Sequence, residues 1–179
     1  MEYLDIVTED GIPTGVTKER NAVHRDGDLH RTSHVWIARQ NKDHRMELLL
    51  QKRSMNKDSH PGCYDISSAG HIPAGMDYLE SALRELKEEL GLPAKPEELI
   101  DKGVRRVRWQ GKFHGQVFRD YQVSRVYLLW RDVNIEALCL QTEEVESVRW
   151  MEYEKCFRAV KENSIPNCIA LEELQMLKQ

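Results

Sequence analysis

The sequence predicts an α+β domain in which a mixed sheet is sandwiched between helices, an α/β/α arrangement. Three observations lead there. Strand-like runs outnumber helical ones along the chain. They do not alternate strictly with helices, which excludes a simple parallel βα repeat. And one amphipathic helix, over residues 77–91, is bounded at both ends by its own capping chemistry.

In chain order, residues 3–7 read as a short strand and residues 9–11, Glu-Asp-Gly, as a turn. Pro13, Thr14 and Gly15 are expected to break any longer element. Residues 21–31 are polar and carry His24 and His30. Residues 35–38 and 47–52 read as strands joined through a charged turn at 41–45, a hairpin. Residues 54–64 hold Asn, Asp, Pro and Gly and read as loop, followed by a short strand from 65 to 69 that ends at Gly70. In the helix that follows, Asp77 is the N-cap and Glu80 completes a capping-box pattern. Leu79, Ala82, Leu83, Leu86 and Leu90 fall on one face, Gly91 supplies a left-handed stop, and Pro93 prevents continuation. Strands are predicted over 104–109, 123–130 and 145–150, with a glycine-containing loop at 110–120. Helices are predicted over 152–162 and 169–177.

The 179 residues suit one domain, 1–179, and 40% hydrophobic content supplies a core. With 26 Lys and Arg against 30 Asp and Glu, the net charge of -4 argues against a protein that coats nucleic acid. A local basic pocket for a phosphorylated small molecule remains compatible with it. No apolar run reaches the roughly 20 residues of a membrane helix, and the N-terminus lacks a signal-peptide pattern. The four cysteines, 63, 139, 156 and 168, are scattered without a CxxC pair, as expected of reduced thiols in the cytoplasm. A homodimer is the assembly to expect if the chain oligomerises.

Glu85, Glu88 and Glu89 stand at i, i+3 and i+4 and so share one helical face, away from the leucines. The plain alternative is a solvated acidic surface. Neighbouring carboxylates repel by about 0.7 kcal/mol in water at roughly 6 Å, and by about 3 kcal/mol at an effective dielectric of 20. A divalent cation reverses that sign, and hard oxygen ligands suit Mg²⁺ or Mn²⁺.

From Gly70 the chain reads GHIPAGMDYLESALRELKEELGL. This resembles the Nudix box, G-x5-E-x7-R-E-U-x-E-E-x-G-U with U aliphatic, and matches eight of its nine defined positions. The exception is Met76, where the family has glutamate. The resemblance implies the Nudix fold, a loop and helix beside a mixed sheet. It also implies hydrolysis of a diphosphate linkage in a nucleoside diphosphate derivative or a related small organic diphosphate. Glu85 and Glu89 are then metal ligands, Glu88 a ligand or the base, and Arg84 a residue that holds a glutamate in place.

Two longer segments, IPTGVTKERNAVHRDGDLHR and LLLQKRSMNKDSHPGCYDISSAGH, resemble the isopentenyl-diphosphate isomerase branch of the Nudix fold. That resemblance implies a second metal site at His24, His30 and His71, with Asp120 and Gln122 near the later acidic positions. It implies substrate contacts from Arg20, Arg53, Lys57 and Gly70. The isomerase chemistry itself does not carry over. Ala69 stands where those enzymes have an essential cysteine, and Asn167 where they have a tryptophan. An isomerase, or a catalytically weak nucleotide-binding module, is therefore the alternative reading. Trp109, Phe113, Phe118 and Tyr121 offer rings that can stack on a base. The base is open among Glu88, Asp120, Glu143 and Glu144, the last two equally fitting a solvated turn.

Overall fold

In the computed structural model, which describes residues 2–57, 59–113 and 115–179, two amphipathic helical layers enclose a twisted mixed sheet. Asp58 and His114, each inside a predicted loop, lie outside the described residues.

The chain opens with β1 (Tyr3–Val7) and β2 (Pro13–Glu19), an antiparallel pair, followed by α1 (Arg20–Asp26). Neither β2 nor α1 is signalled by hydrophobic pattern. Pro13 occupies the first residue of β2, where its missing N–H is tolerated, so it begins an element instead of breaking one. β3 (His30–Gln40) and β4 (Met46–Arg53) form the predicted hairpin through the turn at 41–45. Short strands β5 (Tyr64–Asp65) and β6 (Ser68–His71) pair with β4 and β3. Then come α2 (Tyr78–Leu90), β7 (Leu99–Phe113), β8 (Gln116–Trp130), β9 (Val145–Glu152), α3 (Tyr153–Lys161) and α4 (Leu171–Met176).

The seven strands run β5-β4-β3-β8-β7, with β6 added to β3 and β9 to β4. β3 and β8 are parallel and the other pairs antiparallel. β3 is central and covered on both faces, so its first nine residues are buried, polar or not. That is why the pattern shows only its apolar residues 35–38. The predicted loop at 110–120 is instead the far end of a 15-residue hairpin arm, with Trp109 opposite Asp120 and Gly111 opposite Phe118. Each strand satisfies the other's backbone there despite a composition that reads as loop.

Alternation along the strands divides the core in two. Val35, Ile37, Leu49 and Leu129 face α2, where Ala82, Leu86 and Leu90 are fully buried. Trp36, Ala38, Leu48, Leu50 and Leu128 face α3 and α4, meeting Tyr153, Cys156 and Leu174. Each buried leucine contributes about 1.5–3 kcal/mol. α2 begins as predicted, with Leu79 N–H donating to the Asp77 carboxylate at 2.9 Å, and Gly91 closes it at φ 64°. Among the described residues Glu80 makes no return bond to Asp77, so the cap is half a box. No described helix is long and apolar enough to cross a membrane.

Candidate active site

The leucine face of α2 fixes the opposite face against β6, and the carboxylates do not all reach solvent. Glu88 is exposed, but Glu89 is buried beside β6. Its carboxylate accepts from the Ser68 hydroxyl at 2.7 Å and the Ala69 N–H at 3.3 Å. Burial pushes its pKa up to about 8, against the pull of the Ser68 hydrogen bond. Glu85 is raised too, first by burial and less by the Glu88 charge, while Arg84 opposes the shift. Arg84 bonds Glu85 at 2.6 Å, so the glutamate it holds is the adjacent one. Gly70 makes the close approach possible, since a Cβ there would lie 2.4 Å from the Glu85 carboxyl carbon.

A cavity of about 590 Å³ lies over these groups. Of the residues singled out by sequence, Arg20, Lys57, Gly70, His71, Arg84 and the three glutamates line it. Arg53 does not. Its guanidinium bonds Asp65 at 2.9 Å and the Ser59 carbonyl at 3.0 and 3.1 Å, which fastens the loop before β5. Glu144 does line the cavity, contrary to a plain solvated turn, and pairs with Lys57 across it. Sequence reasoning missed Glu2, which bonds Arg20 at 2.9 Å on the rim. It also missed Asp5, a buried carboxylate that accepts from Arg31 at 3.0 Å and Gly75 N–H at 2.8 Å. Arg31 also donates to the Met76 carbonyl at 2.9 Å, so the loop before α2 is braced through backbone, without a glutamate at that position. The only sequence signal for Asp5 was a charge within an apolar strand.

Behind His71 the structure gathers His24, His30 and Asp120, one donor atom from each lying within 4.8 Å of the others. His24 comes from α1, His30 from the start of β3, His71 from the end of β6, and Asp120 from β8. His24 Nδ1 meets the Arg119 carbonyl at 3.2 Å, and His30 Nδ1 meets the Asp28 carbonyl at 3.0 Å. With Nδ1 engaged on a backbone carbonyl in both, each Nε2 is turned inward. His24 Nε2 faces His71 Nε2 at 3.2 Å, and among the described residues the buried His30 Nε2 has no hydrogen-bond partner, with the Asp120 carboxylate 3.6 Å away. Burial lowers His24 to about 4, helped by the charge of His30, and puts His71 well below its ordinary value. Burial would raise Asp120, but the His30 imidazole 3.6 Å away holds it below the usual carboxylate range, with help from His24 and the Gln122 amide. Three imidazoles and one carboxylate converging on a common centre form a donor set fit for a metal ion. Gln122 lies one pleat further along β8, donating to Asp120 at 2.7 Å.

The NUDIX domain family model matches residues 29–169. Nudix hydrolase 3 of Arabidopsis thaliana is 47% identical over 159 residues, 86% of this chain and 20% of that protein. The chain thus spans about a fifth of that relative's length. An uncharacterized Nudix hydrolase of Clostridium acetobutylicum is 37% identical over 157 residues, 88% of this chain and 73% of that protein. Among solved structures, a Deinococcus radiodurans protein superposes with TM-score 0.73 at 18% identity, covering 99% of this chain and 100% of that one. The NUDIX domain of Shewanella oneidensis NrtR, solved with ADP ribose, gives 0.56 at 16% identity, covering 83% of each. These structures share the fold.

Proposed function

Because the chain belongs to the Nudix family, its domain spanning residues 29–169, we propose that it hydrolyses a diphosphate linkage with Mg²⁺ as cofactor and Mn²⁺ as a substitute. The substrate in this reading is a nucleoside diphosphate derivative or a related small organic diphosphate. The observation that carries it is the pairing of half-buried Glu85 and buried Glu89 in a cavity whose other walls bring Arg20 and Lys57. Desolvated carboxylates this close disfavour their own ionisation, and a divalent cation is the partner that offsets it.

Glu85, Glu89 and the exposed Glu88 would hold the ion. When bound, such an ion supplies polarisation of phosphoryl oxygens and acidification of a coordinated water. Arg84 keeps Glu85 oriented. Lys57 and Arg20 neutralise charge on the diphosphate, and Gly70 leaves room for it beside Glu85. Glu88, on the solvent side, accepts the proton of the attacking water, with Glu144 as the rival for that task. His24, His30, His71 and Asp120 form the second metal site, whose nitrogen-rich donors suit Mn²⁺, Fe²⁺ or Zn²⁺ better than Mg²⁺. In this reading residues 1–179 act as one cytoplasmic domain, with no nucleic-acid or membrane partner.

The isomerase reading is disfavoured by Ala69 on β6, since no thiol stands at that position. Cys168 lies near the Tyr64 carbonyl instead, with its pKa pushed far up by burial. The test is Mg²⁺-dependent release of phosphate or a monophosphate from nucleoside diphosphates, nucleotide sugars, ADP-ribose and isopentenyl diphosphate, with Glu89→Gln in parallel. Turnover that Glu89→Gln lowers by two orders of magnitude or more is the expected result (about 10²-fold for a misplaced catalytic group). Equal rates in both proteins would overturn the reading, and isomer formation would revive the alternative.

A further inference from the structure

Asp120 differs from the three imidazoles in how it is held. β3 and β8 share rungs from His30 opposite Gln122 to Ala38 opposite Trp130. Asp120 therefore lies beyond the last shared rung, on an arm of two strands. Two-stranded ribbons twist strongly and are marginal by themselves. The Asp120 carboxylate is nevertheless set 3.6 Å from His30 Nε2 and 3.7 Å from His24 Nδ1. Among the described residues, the hydrogen bond to that carboxylate comes from Gln122 Nε2, at 2.7 Å. Behind this amide the same face of the sheet carries Ser124 on β8 and Thr32 and His34 on β3, spaced two residues apart along each strand. The Thr32 and Ser124 hydroxyls meet across a rung at 2.7 Å, and each reaches the Gln122 carbonyl oxygen at 3.3 Å. His34 Nε2 lies 3.3 Å from the Thr32 hydroxyl, and its Nδ1 lies 3.0 Å from the carboxylate of Glu173 on α4. Trp36 and Arg105 donate to that carboxylate at 2.9 and 3.1 Å. Gln122, Ser124, Thr32, His34 and Glu173 are all buried, and none of them lines the carboxylate cavity.

We propose that Gln122 is the positioning residue of the imidazole cluster: it aims the Asp120 carboxylate at the ion, and the Thr32 and Ser124 hydroxyls, backed by His34 and Glu173, fix which end of its amide does so. The proposal rests on the second metal site of the preceding reading. The polarity of the amide supports it. Hydroxyls that donate to the Gln122 oxygen leave its nitrogen for Asp120, whereas a flipped amide would set oxygen against carboxylate, acceptor against acceptor. The composition of the row supports it as well. Buried hydrogen-bonded pairs add little stability over apolar side chains of the same shape. Beyond His34 the same face turns apolar at Trp36 and Ala38, and continuing that surface would serve packing alone. The polar row instead leads from the interior of the sheet to the ligand that stands on the arm. A fully bonded row of this kind is rigid, so the amide is oriented before an ion arrives.

The test titrates Co²⁺ into the whole protein and follows its visible absorption, with His30→Ala marking the part of the band that belongs to the cluster. Gln122→Met keeps the length of the side chain without its amide. It should weaken Co²⁺ binding by about 10-fold or more and shift the band, because the carboxylate no longer meets the ion in one orientation. Thr32→Val combined with Ser124→Ala removes both hydroxyls, nearly keeps their shape, and should move affinity and band the same way. Thr32→Ser, which keeps the hydroxyl, should retain both. Urea midpoints check that each variant folds; lost packing alone lowers the midpoint and leaves the band in place. A His30-dependent band with wild-type affinity in Gln122→Met overturns the proposal and leaves the metal site standing. Unchanged binding in the variant lacking both hydroxyls overturns the relay behind Gln122. A wild type without any His30-dependent band would remove the second metal site, and the proposal with it, whatever the fate of the hydrolase.

Discussion

Gly70→Ala probes the carboxylate cavity without removing any charged group. The new methyl would stand 2.4 Å from the Glu85 carboxyl carbon and 2.6 Å from its Cγ, where ordinary contact begins at 3.4 Å. Glu85 must therefore retreat by about 1 Å. Its carboxylate is the far end of a flexible side chain, so the retreat costs about 1 kcal/mol of stability, at the low end of overpacking in a core. Chemistry is far more sensitive, because a misplacement of about 1 Å can cost roughly 100-fold in rate. The expected outcome is a folded protein, its thermal midpoint lowered by a few degrees, with kcat/KM down about 100-fold. Mn²⁺ affinity, measured by electron paramagnetic resonance, should fall alongside. Pairing the change with Glu85→Asp, which shortens the obstructing side chain, should restore metal affinity in part. Activity within a factor of about three of wild type, with Mn²⁺ affinity unchanged, would refute the reasoning, because Glu85 would then not be where the ion needs it.

Leu86 is fully buried under the sheet, so Leu86→Ala should cost about 2–5 kcal/mol, read from urea midpoints. Asp77→Ala removes the cap on α2 and should cost about 1 kcal/mol, with hydrogen exchange rising first at the N–H of Leu79. A pH dependence comes from the buried pair of His34 on β3 and Glu173 on α4, 3.0 Å apart. Burial opposes charge on His34, but the Glu173 charge and hydrogen bond outweigh it and raise its pKa above 6.5. Burial likewise opposes charge on Glu173, yet His34, the Trp36 N–H and Arg105 bring it below 4.5. The histidine's contribution is complete below pH 6.5 and is lost as pH rises through its folded pKa. The glutamate's is complete above pH 4.5 and is lost as pH falls through its own. Stability from the pair is therefore greatest between pH 4.5 and 6.5, and Glu173→Gln should flatten the profile in urea titrations. A variant profile parallel to wild type would remove the pair from the account. His30→Ala should weaken Co²⁺ binding at the imidazole cluster by at least about 10-fold, followed in the visible absorption of the ion, while Mg²⁺ dependence of turnover changes less.

By itself the sequence determined the parts whose causes are local. The start of α2 at Asp77, its stop at Gly91 and its leucine face are written in neighbouring residues, because capping and 3.6-residue periodicity act over a few positions. The spacing of Arg84, Glu85, Glu88 and Glu89 on that helix was legible for the same reason. The hairpin of β3 and β4 was legible from two apolar runs and the turn between them. What tertiary structure decided depends on partners distant in the chain. β3 is polar for its first five residues and is a strand because β6 and β8 pair with it on either side. The arm at 110–120 is a strand because each half supplies the other's hydrogen bonds. Arg53 looks as suitable for a diphosphate as Lys57, until Asp65 and Ser59 occupy its guanidinium. Nothing local sets the burial of Glu89 apart from the exposure of Glu88, one residue away. The difference arises where α2 lies against Ser68 and Ala69, some 20 residues earlier in the chain, which desolvate one carboxylate and leave the other to water.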